Sequence, residues 1–152
     1  GPDAWYYAGG SDSYSANGNT LDVQGFAAPI TIASGGSITK VSVKIHYATD
    51  SINNYKIGVY TGTSGAMTLQ QCATFQIPSS TSAGWYDYTL PTAITISAST
   101  IYCVLHCTGD SATYEYNETG GYWIFDTYAN ACQASEASDG DDYLPAVRVY
   151  VD

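Results

Sequence analysis

Charge is the first scarcity. Of 152 residues only 12% are charged, and just four are basic, three Lys and one Arg, against fourteen acidic ones. The resulting net charge of −10 and pI near 4.1 repel phosphate backbones and anionic headgroups, which sets nucleic acid and anionic membrane surfaces aside as partners. Methionine occurs once, and Glu, Lys and Leu are sparse, so the chain lacks the residues from which solvent-facing helices are built. No apolar run approaches the ~20 residues that cross a bilayer as a helix, so membrane insertion is not expected. The start carries no basic segment followed by an apolar one. Gly1-Pro2 reads as a protease-cleavage scar, and residues 3–152 as one module tethered to further domains of a longer protein.

What is plentiful is β-like. The chain has 15 Tyr, 15 Gly, 16 Ser and 17 Thr. A length of 152 residues predicts a single domain that buries roughly 70% of its unfolded surface. Period-2 alternation runs throughout. Val41, Val43, Ile45 and Tyr47 fall on one face of a strand, and Ser42, Lys44 and His46 on the other. Similar runs occur at Leu21–Phe26, Ile30–Ile32, Ile57–Val59, Leu69–Ile77, Tyr86–Leu90, Ile94–Ile96, Ile101–Leu105 and Val147–Val151. That makes about nine short strands between Gly, Ser, Asn, Asp and Pro clusters. The expectation is an all-β antiparallel sandwich, preferred over a closed barrel, with no repeat to support a propeller or solenoid. Residues 9–20 and 129–142 are the longest stretches without a strand pattern and are expected to be loops.

Cys72, Cys103, Cys107 and Cys132 are even in number and lack C-x-x-C spacing, which favours two disulfides over zinc. On an extended strand Cys103 and Cys107 would lie about 13 Å apart, too far to bond. The remaining pairings are 72–103 with 107–132, which is preferred, or 72–107 with 103–132. Oxidised pairs imply an extracellular or cell-surface setting; four buried thiols are the alternative.

Three pieces of sequence carry a resemblance. They are GGSITKVSVKIHY (35–47) leading to KIGVYTG (56–62), AGWYDYTLPTAITISASTIYCVLH (83–106), and the closing YLPAVRVYV (143–151). In this order they resemble secreted jelly-roll domains, many of them carbohydrate-binding modules that accompany polysaccharide-active or cell-surface proteins. The likeness runs from Phe26 to the C-terminus and implies a jelly roll. The segment 112–133 matches no family pattern.

Sugar rings present flat C–H faces, so a polysaccharide site needs aromatic planes together with hydrogen-bonding groups. Tyr114, Tyr116, Asn117, Glu118, Tyr122, Trp123, Asp126 and Tyr128 supply both densely, and Gly120-Gly121 suggests that Tyr122 and Trp123 sit on an open loop. Trp5, Tyr6 and Tyr7 form a second aromatic run, and Trp85 begins a third. Tyr47, Tyr60, Tyr88, Tyr102 and Tyr150 are read as core or sheet packing. Asp139, Asp141 and Asp142 around Gly140 are candidate ligands for a structural Ca²⁺, which jelly-roll sugar-binding modules often carry; Asp12, Asn17, Asn19 and Asp22 form a second acidic set. No catalytic motif is present, and His46 and His106 read as surface and structural residues. Asn117-Glu118-Thr119 is a formal glycosylation sequon. The expected function is therefore non-catalytic polysaccharide binding by stacking and hydrogen bonds. A structural or adhesive cell-surface or virion domain that makes protein contacts is the alternative, and a small glycan-cleaving enzyme a distant third.

Overall fold

Strand propensity and alternation organise nearly the whole chain. The computed structural model of the protein describes residues 2–19, 21–46, 52–109 and 112–152, so Tyr47 lies outside the described residues. Among the described residues there are twelve strands and no α-helix. The strands are β1 (Ala4–Tyr7), β2 (Ala16–Asn19), β3 (Gly25–Ile32), β4 (Gly36–Ile45), β5 (Asn53–Thr63), β6 (Ala66–Ile77), β7 (Gly84–Ile96), β8 (Ser99–Thr108), β9 (Thr113–Ile124), β10 (Ser135–Glu136), β11 (Asp141–Pro145) and β12 (Val147–Val151).

Two antiparallel sheets face each other, as expected of a sandwich. One has four strands in the order β1-β12-β4-β7, the other eight in the order β10-β6-β5-β8-β3-β9-β11, with β2 on the flank of β9. Inward residues of the small sheet are aliphatic: Val41, Val43, Ile45, Val147, Val149 and Val151 are all essentially inaccessible. They meet Ile57, Val59, Ile101 and Leu105 of the large sheet. Phe75 bridges the layers through parallel stacks with Tyr55 on its own sheet and with Tyr86 and Tyr88 opposite, the last at 5.1 Å.

The nine expected runs fall within seven strands, because β3 and β7 each take in two of them. β3 begins only at Gly25, so Leu21 lies outside it, and β7 joins its two runs by passing through Pro91, which an edge strand of the small sheet tolerates. β1, β2, β9, β10 and β11 carry no clean alternation in sequence. Residues 9–20 and 129–142 are therefore not loops throughout: they contribute β2, β10 and the first residues of β11.

The cysteines correct the disulfide expectation. One bridge is present, Cys72–Cys132, a pairing that belongs to neither arrangement expected from sequence. Cys103 and Cys107 are free. They occupy inward positions of β8 on either side of Leu105, where burial pushes both thiols up to about 12. Their separation along one strand does forbid a mutual bond; an even cysteine count does not oblige every thiol to pair.

The bridge anchors a strap. The chain between β9 and β11 crosses the outer face of the eight-stranded sheet to β6 and returns. It is held by Cys72–Cys132, by the β10–β6 pairing, by Tyr60 Oη donating to the Gln133 carbonyl at 2.8 Å and by Lys56 Nζ donating to the Tyr128 carbonyl at 2.8 Å. Beneath it lies a second apolar cluster that includes Tyr60, Met67, Tyr102, Val104 and Ile124. Gly58 is required there, because a Cβ would come within 2.6 Å of the Tyr60 ring and 3.2 Å of Cys132 Sγ.

Candidate functional site: a groove between β9 and β11

The groove originates in a register shift. Leu144 pairs with Asn117 and Asp142 with Gly121, so β9 advances from 117 to 121 while β11 advances only from 142 to 144. Glu118, Thr119 and Gly120 stand opposite Tyr143 alone and bulge into solvent. Gly120 has φ +104, a conformation that suits glycine, and a side chain on Gly121 would collide with the Tyr143 carbonyl. The result is a groove of about 380 Å³ lined by Glu118, Thr119, Gly120, Gly121, Tyr122, Asp141 and Asp142.

Residues expected to bind sugar and residues expected to bind metal thus meet in one place. Tyr122 is half-buried, its ring 6.3 Å from that of Tyr102. Glu118 and Asp141 are exposed, and Asp142 Oδ1 accepts the Tyr143 N–H at 2.8 Å. Asp139 is not in the groove; its Oδ2 caps the Phe125 N–H at 2.7 Å. Among the described residues no three His, Cys, Asp or Glu side chains are grouped as a metal site.

The other expected ligand residues are dispersed because 113–124 is a strand and not an open loop. Tyr114 is buried in the core, where desolvation raises its phenol. Tyr116 stacks on Tyr143 at 4.3 Å, and Asn117 Oδ1 accepts the Ser15 N–H at 3.0 Å. Trp123 packs against the core with its Nε1 buried and without a hydrogen-bond partner, its ring edge-on to Phe125 at 5.4 Å. Tyr128 covers Lys56, whose Nζ is 4.3 Å from the ring centre.

Asp126 belongs to the strap, as does Glu136, which sequence reasoning did not single out. Asp126 Oδ2 and Glu136 Oε2 are buried and have no partner outside the pair. Burial, and then the facing Asp126 carboxyl, raise Glu136 to about 8, so the pair holds a proton at neutral pH. His106 is buried beside them. Desolvation lowers its pKa, and its neutral ring donates Nε2–H to the Asp126 carbonyl at 3.0 Å.

Trp85 belongs to a different surface. On the outer face of the small sheet, register aligns Tyr7, Arg148, Ser42 and Asp87 in one row, and Trp5, Tyr150, Lys40 and Thr89 in the next. Three of the chain's four basic residues stand here. The Arg148 guanidinium is 3.8 Å from the Trp5 ring and 4.4 Å from the Trp85 ring, and bonds Asp87 at 3.0 Å. Trp85 Nε1 donates to Asp12 at 2.7 Å, which is the main reason the Asp12 carboxyl titrates below its ordinary range. Arg148 therefore covers part of both indoles, and Tyr7 and Tyr14 meet Trp85 edge-on. Around Trp85 this is a packed cation–aromatic ladder rather than an open platform.

No protein-family model and no curated protein matches this chain. Its functional reading rests on its own geometry.

Proposed function

We propose that the module binds a neutral polysaccharide without catalysis, in the groove between β9 and β11. The observation that carries this reading is the convergence of one half-buried aromatic residue, Tyr122, which packs against the cluster under the strap, with Glu118, Asp141 and Asp142 around a glycine floor. Tyr122 stacks on a pyranose face, and the carboxylates accept hydroxyl protons. The groove's volume falls in the range of small-ligand sites, about 300–1,000 Å³. One stacked ring contributes about 1 kcal/mol, so after ordering costs a single sugar binds in the millimolar range. The acidity of the rim disfavours sulfated and uronate-rich chains. The disulfide suits an oxidising, extracellular setting, and among the described residues no helix is long and apolar enough to cross a membrane.

The test is depletion of the protein by a panel of insoluble polysaccharides. Binding to at least one is expected, weakened about 5- to 10-fold by Tyr122→Ala, weakened by Asp142→Asn, and unchanged by Trp85→Ala. Retention on none defeats the proposal. One observation favours the alternative of a protein-contact surface domain: Phe125 and Val23 are 68% and 64% exposed, at adjoining ends of β9 and β3. Release of reducing sugar would instead mark an enzyme.

A further inference from the structure

The aromatic run Trp5-Tyr6-Tyr7 has a place in the fold that the groove between β9 and β11 does not explain. β9 pairs with β3 only at Gly25–Ala27, whereas β3 continues to Ile32. Beyond Ala27 that edge of β3 is free of strand partners among the described residues, and it faces β1, the edge of the other sheet. The gap is a second groove of about 330 Å³, lined by Trp5, Tyr6, Tyr7, Gly9, Gly10, Pro29 and Thr31. None of these side chains carries a charge, in a protein of net charge −10.

The two grooves adjoin. A Cβ on Gly9 would lie 2.9 Å from Leu144 Cδ2, and a Cβ on Gly120 would lie 3.7 Å from that same atom. Gly9 belongs to the second groove and Gly120 to the first, so both grooves reach the Leu144 side chain, with Asn117 Nδ2 3.9 Å from the Gly9 position. Neither glycine has a side chain to raise the divide.

We propose that the two grooves form one cleft across Leu144, and that the cleft takes a linear, uncharged oligosaccharide whose successive rings occupy first the Tyr122 side and then the Trp5–Tyr7 side. This rests on the sugar-binding reading of the first groove and extends it from a single-sugar contact to a chain-length-dependent one. The ring of Trp5 is held in place beforehand by Arg148 at 3.8 Å and Tyr150 at 5.2 Å, so little side-chain freedom is lost when a sugar meets it. An extended peptide fits less well. β1 offers an edge of only four residues, and Gly9 and Gly10, with φ +74 and +76, break the extended backbone that strand addition requires.

The experiment is calorimetric titration with cello-, xylo- and chito-oligosaccharides of two to six units. For whichever series binds, affinity should rise at least ~10-fold between two and four units and then level off. Thr31→Arg places a long side chain in the second groove from an exposed strand position. It should remove that rise while leaving disaccharide affinity unchanged, and Trp5→Ala should reduce the rise; a melting curve checks that each variant is folded. Equal affinity for two and four units, or a length dependence untouched by Thr31→Arg, overturns the joined cleft while leaving the Tyr122 site standing. Absence of binding by every series, with insoluble polysaccharides also failing, removes both.

Discussion

Cutting the Cys72–Cys132 bridge isolates what the strap contributes to stability. The cysteines are 60 residues apart in sequence. Restricting a loop of that length in the unfolded chain gives, from the chain-entropy relation, about 4 kcal/mol at 25 °C. For a chain of this size each kcal/mol moves the melting temperature by about 2–4 °C, so the Cys72→Ala/Cys132→Ala variant should melt about 8–16 °C lower. Thiol titration supplies the matching count. Oxidised protein should show no reactive thiol when folded, because Cys103 and Cys107 are inaccessible, and two when denatured without reductant. A count of zero after denaturation would mean two bridges, as the even cysteine number suggested, and a count of four would mean none. Either count, or an unmoved melting temperature in the double variant, refutes the argument.

Two further measurements follow from the carboxylates. Glu136 has an ordinary pKa of 4.5 when unfolded and about 8 when folded, so the folded state holds its proton more tightly between those values. Stability from this group is greatest below pH ~4.5, declines as pH rises toward 8, and is flat above. Discounted for partial exposure, the difference between wild type and Glu136→Gln should grow by about 1–2 kcal/mol across that window in pH-dependent denaturant melts; parallel pH curves would reject the shared proton. The calcium expected at Asp139, Asp141 and Asp142 is tested by adding Ca²⁺ to metal-free protein. A rise of several degrees in melting temperature supports the ion, and an unmoved curve removes it.

The strands legible in the sequence are those with one apolar and one polar face. Val41, Val43 and Ile45 against Ser42 and Lys44, or Val147, Val149 and Val151 against Arg148 and Tyr150, declare both the strand and its inward side. β9 does not, because it is buried differently along its length. Tyr114 faces the sandwich core, Ile124 faces the cluster under the strap, and Glu118 to Gly120 bulge outward. No single period describes such a strand. β10 and β11 are set by pairing with distant partners, which local pattern cannot register. Ser42 shows the converse: it lies on the outward face but is fully buried, because Arg148 and Asp87 close over it.

The site was partly legible for a related reason. Alternation sends neighbouring rings of a strand to opposite faces, so aromatic density along the chain does not measure aromatic exposure; of Tyr114, Tyr116, Tyr122 and Trp123, only Tyr122 lines the groove. The informative signal is Gly120-Gly121: a glycine pair suggests an open loop, but glycine within a strand also marks the close approach of another backbone, here β11 at Tyr143. On one edge β9 leaves β3 for β2, and on its other edge, where β11 pairs with it from Tyr116 to Tyr122, the register shifts. A long strand that changes partners midway must leave an edge of its former neighbour uncovered, and it can accommodate surplus residues where the registers disagree. Those two consequences, the open β3 edge and the bulge at 118–120, lie on either side of Leu144, which is why both grooves open at this side of the sandwich rather than on either sheet face.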